Sequence, residues 1–527
     1  MPTEALTAPA RPTAHGPVPV AVIDIGTTAV RMALAEIGNG DRVRPIATLS
    51  QSVSLGKDTF TRGVIEKSTI EDCVRVLQSY KRILEEHGIE RPEHTRCVAT
   101  SAVREAQNRL AFMDRIYSAT GISVVPIDEA EVSRLTYLGV QPLLKSHPEL
   151  AGRNAAVAEV GGGSTELLLI KDAEVLFSHS YRLGSLRLRE QLETFRAPQA
   201  SSRKIMELQI QRHIEQMLQQ VKAESVQELV SLGGDLRFAA KQLIPDWTPE
   251  QVVRLPLTSL ERLTDAVLSL NEDRLVHKYR ITFPDAGTIG PALLSYVHLC
   301  KAFELKEIVV SNVNLRDGLL SEMATRGARS EDFVSQVVRS AIDLGRRFDF
   351  DEQHARHVAK LCRILFQNLR ELHHLEPPYE LLLTTAALLH EIGLYVSTGS
   401  YHKHTMYLIN NSEVFGLSRQ DVMLVALTAR YHRKSSPKPI HPVYATLDRD
   451  RRIAVAKMAA IVRVADALDA AHSQRFQELQ FSREGGRLVI SIPQVDDLSL
   501  EQLALKQTGS LFEETFGLPV TLRKLRP

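Results

Sequence analysis

The residues with the clearest chemical use sit in three glycine-bearing loops. Asp24-Ile25-Gly26-Thr27-Thr28 puts a carboxylate at a strand end, then a glycine and two hydroxyls at a turn. Glycine lets the backbone come close to a phosphate, successive N–H groups make an anion nest, and an aspartate beside them can hold a hard cation or its water shell. An ordinary hairpin turn carries the same residues, so this loop alone decides nothing. Glu159-Val160-Gly161-Gly162-Gly163-Ser164-Thr165-Glu166-Leu167 is more specific. Consecutive glycines between two strands are costly in entropy and are expected only where backbone must lie against something, here phosphate. Ser231-Leu232-Gly233-Gly234-Asp235 follows a strand and precedes a helix, so its N–H groups also point at an anion.

A second set of chemistry-bearing residues lies late in the chain. His354 and His357 are three apart, on one helical face. His390-Glu391 follows an apolar run, in mid-helix, then come His402, His404, His432 and Asp466. Imidazole and carboxylate together suit a divalent first-row transition metal; interior histidines that pack a helical bundle fit the same pattern. Arg430, His432, Arg433, Lys434, Lys438, Arg449, Arg451, Arg452 and Lys457 cluster nearby. They read as a solvated face or as a track for repeated phosphates, lengthened by Arg182, Arg187 and Arg189, with steeply salt-dependent binding. No aromatic residues are interleaved with them and the single Trp is Trp247, so no nucleic-acid partner is expected.

The loops need strands to hold them. Val18–Ile25, Ala29–Ile37 and Val43–Val53 read as a meander, with a turn at Gly38-Asn39-Gly40-Asp41. Ser68-Thr69-Ile70-Glu71 reads as a capping box opening a helix to about Glu86. Ala106–Ala119 is expected as helix, Ile122–Ile127 as strand and Asp128–Val140 as helix. The plan then restarts, with strands at Ala155–Val160, Ser164–Ile170 and Glu174–Leu183. Two lobes with matching loops imply a duplicated architecture with a cleft between them. From Ser330 to about Ser473 the periodicity is helical, most clearly over Leu381–Leu389 and Ile453–Ala470. Arg487–Ile492 (strand), Leu498–Gly509 (helix) and Leu518–Leu525 (strand) make a small α+β cap.

Composition bounds these readings. The chain has 527 residues, 44% hydrophobic and 24% charged, which is a globular chain of several domains. Lys+Arg is 64 and Asp+Glu is 63, so bulk charge cannot bind a polyanion and any basic groups that do must be local. Cys73, Cys97, Cys300 and Cys362 have no CxxC spacing and form no disulfide framework. No apolar run is long enough to span a membrane. Met1–Pro17 reads as a disordered tail without the apolar stretch of a signal peptide. A cytoplasmic location and no membrane partner are expected.

Six stretches, in order, carry a family resemblance: AVIDIGTTAVRMAL (Ala21–Leu34), VATSAVREAQN (Val98–Asn108), IDEAEVSRLTYLGV (Ile127–Val140), EVGGGSTELLLI (Glu159–Ile170), SLGGDLRFAA (Ser231–Ala240) and SNVNLRDGLL (Ser311–Leu320). Together the chain resembles the exopolyphosphatase / guanosine pentaphosphate phosphatase (Ppx/GppA) family, within the sugar kinase, Hsp70 and actin superfamily. ALLHEIGLYVSTGSYHKHTMYLINNSEVFGLS and ARYHRK resemble that family's helical extension. The resemblance implies an α/β class: a duplicated actin-like, Hsp70-like (ribonuclease H-like) two-lobe ATPase fold, an all-α HD-like domain and a small α+β C-terminal cap. The expected pieces are a tail over 1–17, lobe I over 18–142, lobe II over 143–326, the HD-like domain over 327–475 and the cap over 476–527.

The resemblance also implies an activity: removal of terminal phosphate from inorganic polyphosphate, dependent on Mg²⁺ (or Mn²⁺). Glu131 would be the general base and Arg104 would contact phosphate; on pattern alone Glu131 is a solvated helix residue. Asp24 and Glu159 would hold Mg²⁺. Gly26, Thr27, Thr28, Gly161, Gly162, Gly163, Ser164, Gly233 and Gly234 would line the phosphate cleft. The same site suits a guanosine pentaphosphate 5′-phosphatase, or a non-catalytic regulator that binds polyphosphate or guanosine pentaphosphate or tetraphosphate. The order His, His-acid, His, Asp resembles the HD metal-dependent phosphohydrolase domain. His357, His390, Glu391 and Asp466 would then hold a second divalent metal, extended by His404 and His432. A homodimer is implied by the family.

Several positions depart from the family's pattern. Thr27-Thr28-Ala29 stands where Ser-Asn-Ser is usual, Glu159 where Asp is usual, and Asp235 where Thr is usual. Val132 replaces the second acid of a Glu-Glu pair, and Glu391 replaces the Asp of the HD pattern.

Overall fold

Continuous apolar runs bounded by glycine turns pair into two mixed sheets. β1 (Val18–Ile25), β2 (Ala29–Ile37) and β3 (Val43–Ser52) make the first meander, and β4 (Thr95–Ala99) and β5 (Val124–Pro126) extend it in the order β3-β2-β1-β4-β5. β1 runs antiparallel to β2 and parallel to β4, and β4 is parallel to β5. The computed structural model describes residues 17–38, 40, 42–194, 199–221, 225–325, 331–493, 495 and 497–525. It divides the chain into two units, Met1–Ala328 and Arg329–Pro527.

The second sheet of the first unit is built from β6 (Ala155–Val160), β7 (Thr165–Lys171), β8 (Glu174–Tyr181), β9 (Glu228–Leu232), β10 (Val253–Pro256) and β11 (Glu307–Val310). Its order is β10-β11-β9-β6-β7-β8. Read from the far edge, β8-β7-β6-β9-β11 repeats the first sheet strand for strand, with β6 antiparallel to β7 and parallel to β9, and β9 parallel to β11. β10 adds one antiparallel edge. This is the duplicated, actin-like two-lobe α/β fold. Central strands covered on both faces read as near-continuous apolar runs, and β6 is apolar apart from Glu159: Ala155, Ala156, Val157, Ala158 and Val160 are all buried.

The parallel pairs fix where the loops gather. Ile25 lies beside Ala99, and Glu159 beside Leu232, so the carboxyl ends of β1 and β4 coincide, as do those of β6 and β9. The crevice at such ends is where open α/β sheets take their ligands. One side chain ties two of the loops together. Tyr296, fully buried on the helix Phe283–Ala302, accepts the Val160 N–H at 2.9 Å and donates to the Leu232 carbonyl at 2.6 Å.

The second unit is helical from Glu331 to Leu468, around the buried faces of Glu352–Asn368, Pro378–Leu389, Arg419–Arg430 and Arg449–Leu468. It ends in a three-stranded sheet of β12 (Gln480–Glu484), β13 (Arg487–Ile492) and β14 (Val520–Lys524). Fully buried Arg463 pins the loop after Arg430 by donating to the Tyr431 and Ser435 carbonyls, both at 2.8 Å.

Several local expectations are corrected. The helix expected from Ser68 starts at Lys67 with Glu66 as N-cap and no side-chain capping bond, so Ser68–Glu71 is no capping box. The helix expected from Ala106 starts at Arg109, because the Asn108 side chain is held by Ile65, accepting from its N–H and donating to its carbonyl, each at 2.9 Å. The helix before His390 stops at Leu389, which puts His390-Glu391 in a turn rather than in mid-helix. β12 and the helix Ser510–Phe516 had no counterpart in the sequence reading. Residues 1–16 of the tail and Asn39 and Asp41 of the turn lie outside the described residues. All four cysteines are buried and free, and no helix among the described residues is long and apolar enough to cross a membrane.

Tyr296→Phe leaves the Val160 N–H and the Leu232 carbonyl without this buried partner. An unmet buried polar group costs about 1–3 kcal/mol, so thermal unfolding of the variant is expected at lower temperature than wild type with the same secondary structure by circular dichroism.

Candidate active site

The strand-end loops of the first unit enclose a cavity of about 340 Å³. The two hairpin turns are closed alike: Gly26 N–H donates to the Ala29 carbonyl at 3.0 Å and Gly161 N–H to the Ser164 carbonyl at 2.9 Å. Those two amides are therefore spent within their turns, and the anion-facing lining comes from the residues after them. Thr27, Thr28, Gly162, Gly163 and Ser164 all line the cavity, as do Gly26 and Gly161 themselves. The third loop contributes Gly233 and Gly234. Gly233 has φ +99°, which a side chain rarely adopts, and it caps the helix Gly234–Leu243. Close approach explains Gly163: a Cβ there would collide with Ser101 Oγ and the Phe60 ring.

Charge in this cavity is dense and nearly balanced. Five carboxylates, Asp24, Glu159, Glu166, Asp235 and Asp285, face four guanidiniums, Arg31, Arg104, Arg237 and Arg316. Asp24 is 7% exposed, its Oδ2 lies 3.5 Å from Arg316 Nη1, and its Oδ1 has no hydrogen-bond partner among the described residues. Burial, and then the Asp24 charge, push the Glu159 carboxyl above its usual range. Burial, and then Asp285, raise Asp235 to about 7. Arg104 donates to the Ile127 carbonyl at 2.9 Å and lies 3.4 Å from Glu129, at the edge of the cavity.

One expectation about the acids changes. Glu131 does not line the cavity; its neighbour Val132 does. On the helix Glu129–Ser146 successive side chains are about 100° apart, so the face that carries Val132 inward turns Glu131 away. Glu131 forms a two-point ion pair with Arg134, at 2.8 and 2.7 Å, and the same guanidinium also bonds Glu322. Among the acids that do line the cavity is Glu166, on β7 directly opposite Glu159. Its Oε1 accepts from Ser164 at 3.0 Å and Ser180 at 2.7 Å, while Oε2 is buried with no hydrogen-bond partner among the described residues. Burial raises its pKa to about 7 against the opposing serine bonds. The signal for Glu166 was in the sequence: it is the one acid in the buried strand run Thr165–Ile170, where an unpaired charge is costly.

The basic track is also revised. Arg187 is buried, donates to the Gly163 carbonyl at 2.9 Å and shares Glu105 with Arg182, so it braces the glycine loop. Arg189 pairs with Glu193 and Glu272. His432 is fully buried, with Nδ1 bonded to the Ala429 carbonyl and Nε2 3.1 Å from the Tyr401 hydroxyl.

In the second unit the histidines assemble around a different member of the i, i+3 pair. His354, His390 and Glu391 bring ligand atoms within 4.8 Å of one another, and His357 is not in that group. The Nε2 atoms of His354 and His390 lie 3.4 and 3.5 Å from Asp466 Oδ1. His390 and Glu391 thus come together with His354 in place of His357; Asp466 meets the two histidines but is not in that group, and His404 and His432 stay outside it as well.

The sequence model of the Ppx/GppA phosphatase family matches residues 33–327, and that of Ppx/GppA phosphatase domain III matches residues 338–508. The chain is 24% identical over 424 residues to a protein of Vibrio vulnificus named guanosine-5′-triphosphate,3′-diphosphate pyrophosphatase, spanning 79% of this chain and 80% of that one. It is 21% identical over 515 residues to the protein of the same name from Photobacterium profundum, spanning 96% and 98%. Among solved structures, an exopolyphosphatase from Cytophaga hutchinsonii shares the fold at a TM-score of 0.53 and 24% identity, covering 59% of this chain and 98% of that chain.

Arg316→Ala and Arg237→Ala each remove a charged donor from the cavity, and each is expected to weaken binding of inorganic triphosphate about tenfold or more. Arg182→Ala, outside the cavity, should leave that affinity unchanged in the same calorimetric titration.

Proposed function

The chain belongs to the Ppx/GppA phosphatase family, and on that footing we propose that its first unit is a phosphoanhydride hydrolase, removing terminal phosphate from inorganic polyphosphate with Mg²⁺ or Mn²⁺ as cofactor. The charge of the cavity carries the reading. Four guanidiniums suit a chain of phosphates, yet five carboxylates face the same space, so the anion needs a cation to enter with it. Asp24, with its unpartnered buried Oδ1, and Glu159, strained toward neutrality by burial and by Asp24, fit a hard oxygen-seeking ion. Such an ion, when bound, neutralises charge on the transferring phosphoryl group.

The chain's own residues do the rest by position. The hydroxyls of Thr27, Thr28, Ser101 and Ser164 and the guanidiniums of Arg104, Arg237 and Arg316 surround the space for the terminal phosphate. Glu166 replaces Glu131 as the proposed general base. Two serines hold its Oε1, which leaves Oε2 to orient a water and accept its proton. A base works best with a pKa near the operating pH, and Glu166 is raised to about 7.

Two other readings have an observation each. Phe238 and Ile281 add apolar side chains to the cavity lining, which favours a nucleotide such as guanosine pentaphosphate; turnover of the two substrates side by side separates them. Val132, apolar in the cleft, favours a non-catalytic regulator of the same ligands. Triphosphate binding without phosphate release at any Mg²⁺ concentration would establish that reading. Homodimerisation is proposed from the family resemblance and a cytoplasmic location from the buried, unpaired cysteines; light scattering on the purified chain tests the first.

Glu166→Gln is expected to lower phosphate release by about 10²–10⁴-fold while retaining triphosphate affinity. Glu131→Gln should keep most of the activity, and the reverse pattern would return the base to Glu131. Because the Glu166 pKa is raised, the acid is protonated and idle below about 7. The wild-type rate should therefore climb as pH rises through about 7, and chelation of divalent ions should abolish it.

A further inference from the structure

We propose that Arg187, a residue outside the cavity, is a positioning residue for the reaction: it orients the Gly163–Ser164 peptide so that the Ser164 amide faces the transferring phosphate, and it is itself set by the opposite lobe. This rests on the phosphoanhydride reading above and adds to it a group that acts on the phosphate only through the glycine loop.

Each carbonyl of the glycine triplet has a partner at the start of the helix Ser185–Thr194. The Gly161 carbonyl accepts the Ser185 N–H at 2.9 Å, the Gly162 carbonyl the Arg187 N–H at 3.0 Å, and the Gly163 carbonyl the Arg187 Nε–H at 2.9 Å. In a planar trans peptide the carbonyl and the amide that follows it point in opposite directions. The amides of Gly162, Gly163 and Ser164 are therefore aimed away from this helix start, and none of them donates to a partner among the described residues. All three residues line the cavity, so three successive amides are presented to an anion. The approach is backbone on backbone: a Cβ at Gly184 would collide with the main chain of Gly162 and Gly163.

Two of the three carbonyl bonds come from main-chain amides, but the third comes from a side chain, and that side chain is held from lobe I. The buried Arg187 guanidinium lies over the Phe60 ring, 4.1 Å from its centroid, and its Nη2 bonds Glu105 at 2.7 Å. Phe60 belongs to the helix Leu55–Arg62, and Glu105 directly follows the cavity residue Arg104. One peptide of lobe II is thus oriented by a residue whose own place is fixed by lobe I. The two bonds need a fork of donors, Nε to the carbonyl and Nη2 to the carboxylate at once. Lysine keeps the charge and reaches one of the two, not both in this geometry.

The test compares Arg187→Lys, Glu105→Gln and Arg182→Ala in the full chain, with Mg²⁺ and inorganic triphosphate. A misaligned amide is felt most where charge builds up in the transition state, so kcat should fall while KM holds. Arg187→Lys is expected to lower kcat about 10²–10³-fold with KM within about threefold, and Glu105→Gln to lower kcat about tenfold. Arg182→Ala removes the other arginine from Glu105 but no bond from the glycine carbonyls, and should keep its kcat. In chains labelled with ¹⁵N-serine or ¹⁵N-glycine, inorganic phosphate should shift the Ser164 and Gly162 amide signals of wild type, but only that of Gly162 in Arg187→Lys. A wild-type kcat in Arg187→Lys would overturn the proposal, as would a rise in KM alone. Equal losses in Arg182→Ala would overturn it too, and would make the cluster an ion pair that merely holds the lobes together. A wild type that releases no phosphate would sink the hydrolase reading instead; the Ser164 signal then decides, and its persistence in Arg187→Lys overturns the role of Arg187. Should Arg187→Lys fail to fold, Glu105→Gln, whose side chain is 25% exposed, carries the same split of kcat against KM.

Discussion

Charge balance in a closed space is the constraint on which the first unit depends. Five carboxylates and four guanidiniums share one cavity, where the effective dielectric is low and an unpaired ion is expensive. The fold meets that cost by placing these groups at or near the ends of strands and helices, where backbone geometry is fixed. Asp24 sits beside Arg316, Arg104 is tethered to the Ile127 carbonyl, and Glu166 is held by two serine hydroxyls. Tyr296 then locks the β6 and β9 ends to each other, so that the glycine loops following them keep their spacing. What remains unmet among the described residues, at Asp24 Oδ1, Glu166 Oε2 and Arg316 Nε, is polar capacity for a ligand.

The same logic separates the cleft from the helical unit. In the cleft the donors are oxygens beside guanidiniums, an environment for a hard ion that arrives with phosphate. In the helical unit the gathered groups include imidazole nitrogens, the donors that the HD resemblance implies. Each set is made of residues brought together by the fold: Asp24 and Glu159 come from two different sheets, and His354, His390 and Asp466 from three separate stretches of helix and turn.

Much of this was legible in the sequence, and the parts that were not share a physical reason. β1, β2, β6 and β13 could be bounded to the residue, because glycine turns and continuous apolar runs leave little freedom. The glycine loops likewise announced an anion site. Rotation about a helix axis was not legible. Glu131 and Val132 differ by one residue, and which of them faces the cleft depends on how the helix Glu129–Ser146 seats on the helix Leu315–Ala324 through Leu135 and Leu319. His354 and His357 pose the same problem: spacing puts both on one face, and only packing against Asp466 and Asp469 selects the first. Glu166 was hidden differently, since an acid within an apolar run reads as a strand residue until its partners are known.

The duplication explains how one fold supplies unlike chemical groups. Asp24 and Glu159 occupy equivalent places, each one residue from the end of the first strand of its lobe and two before the glycine that closes the turn. Their cross-strand partners differ in sign: Arg31 lies opposite Asp24, and Glu166 lies opposite Glu159. In an antiparallel pair, directly opposed side chains share a face at close range. The first lobe therefore sets a cation beside its acid. The second sets an acid beside an acid, and there burial, with the Glu159 charge as a lesser contribution, raises Glu166 to about 7. One change of charge at a single register position thus gives the two lobes unlike cross-strand pairs.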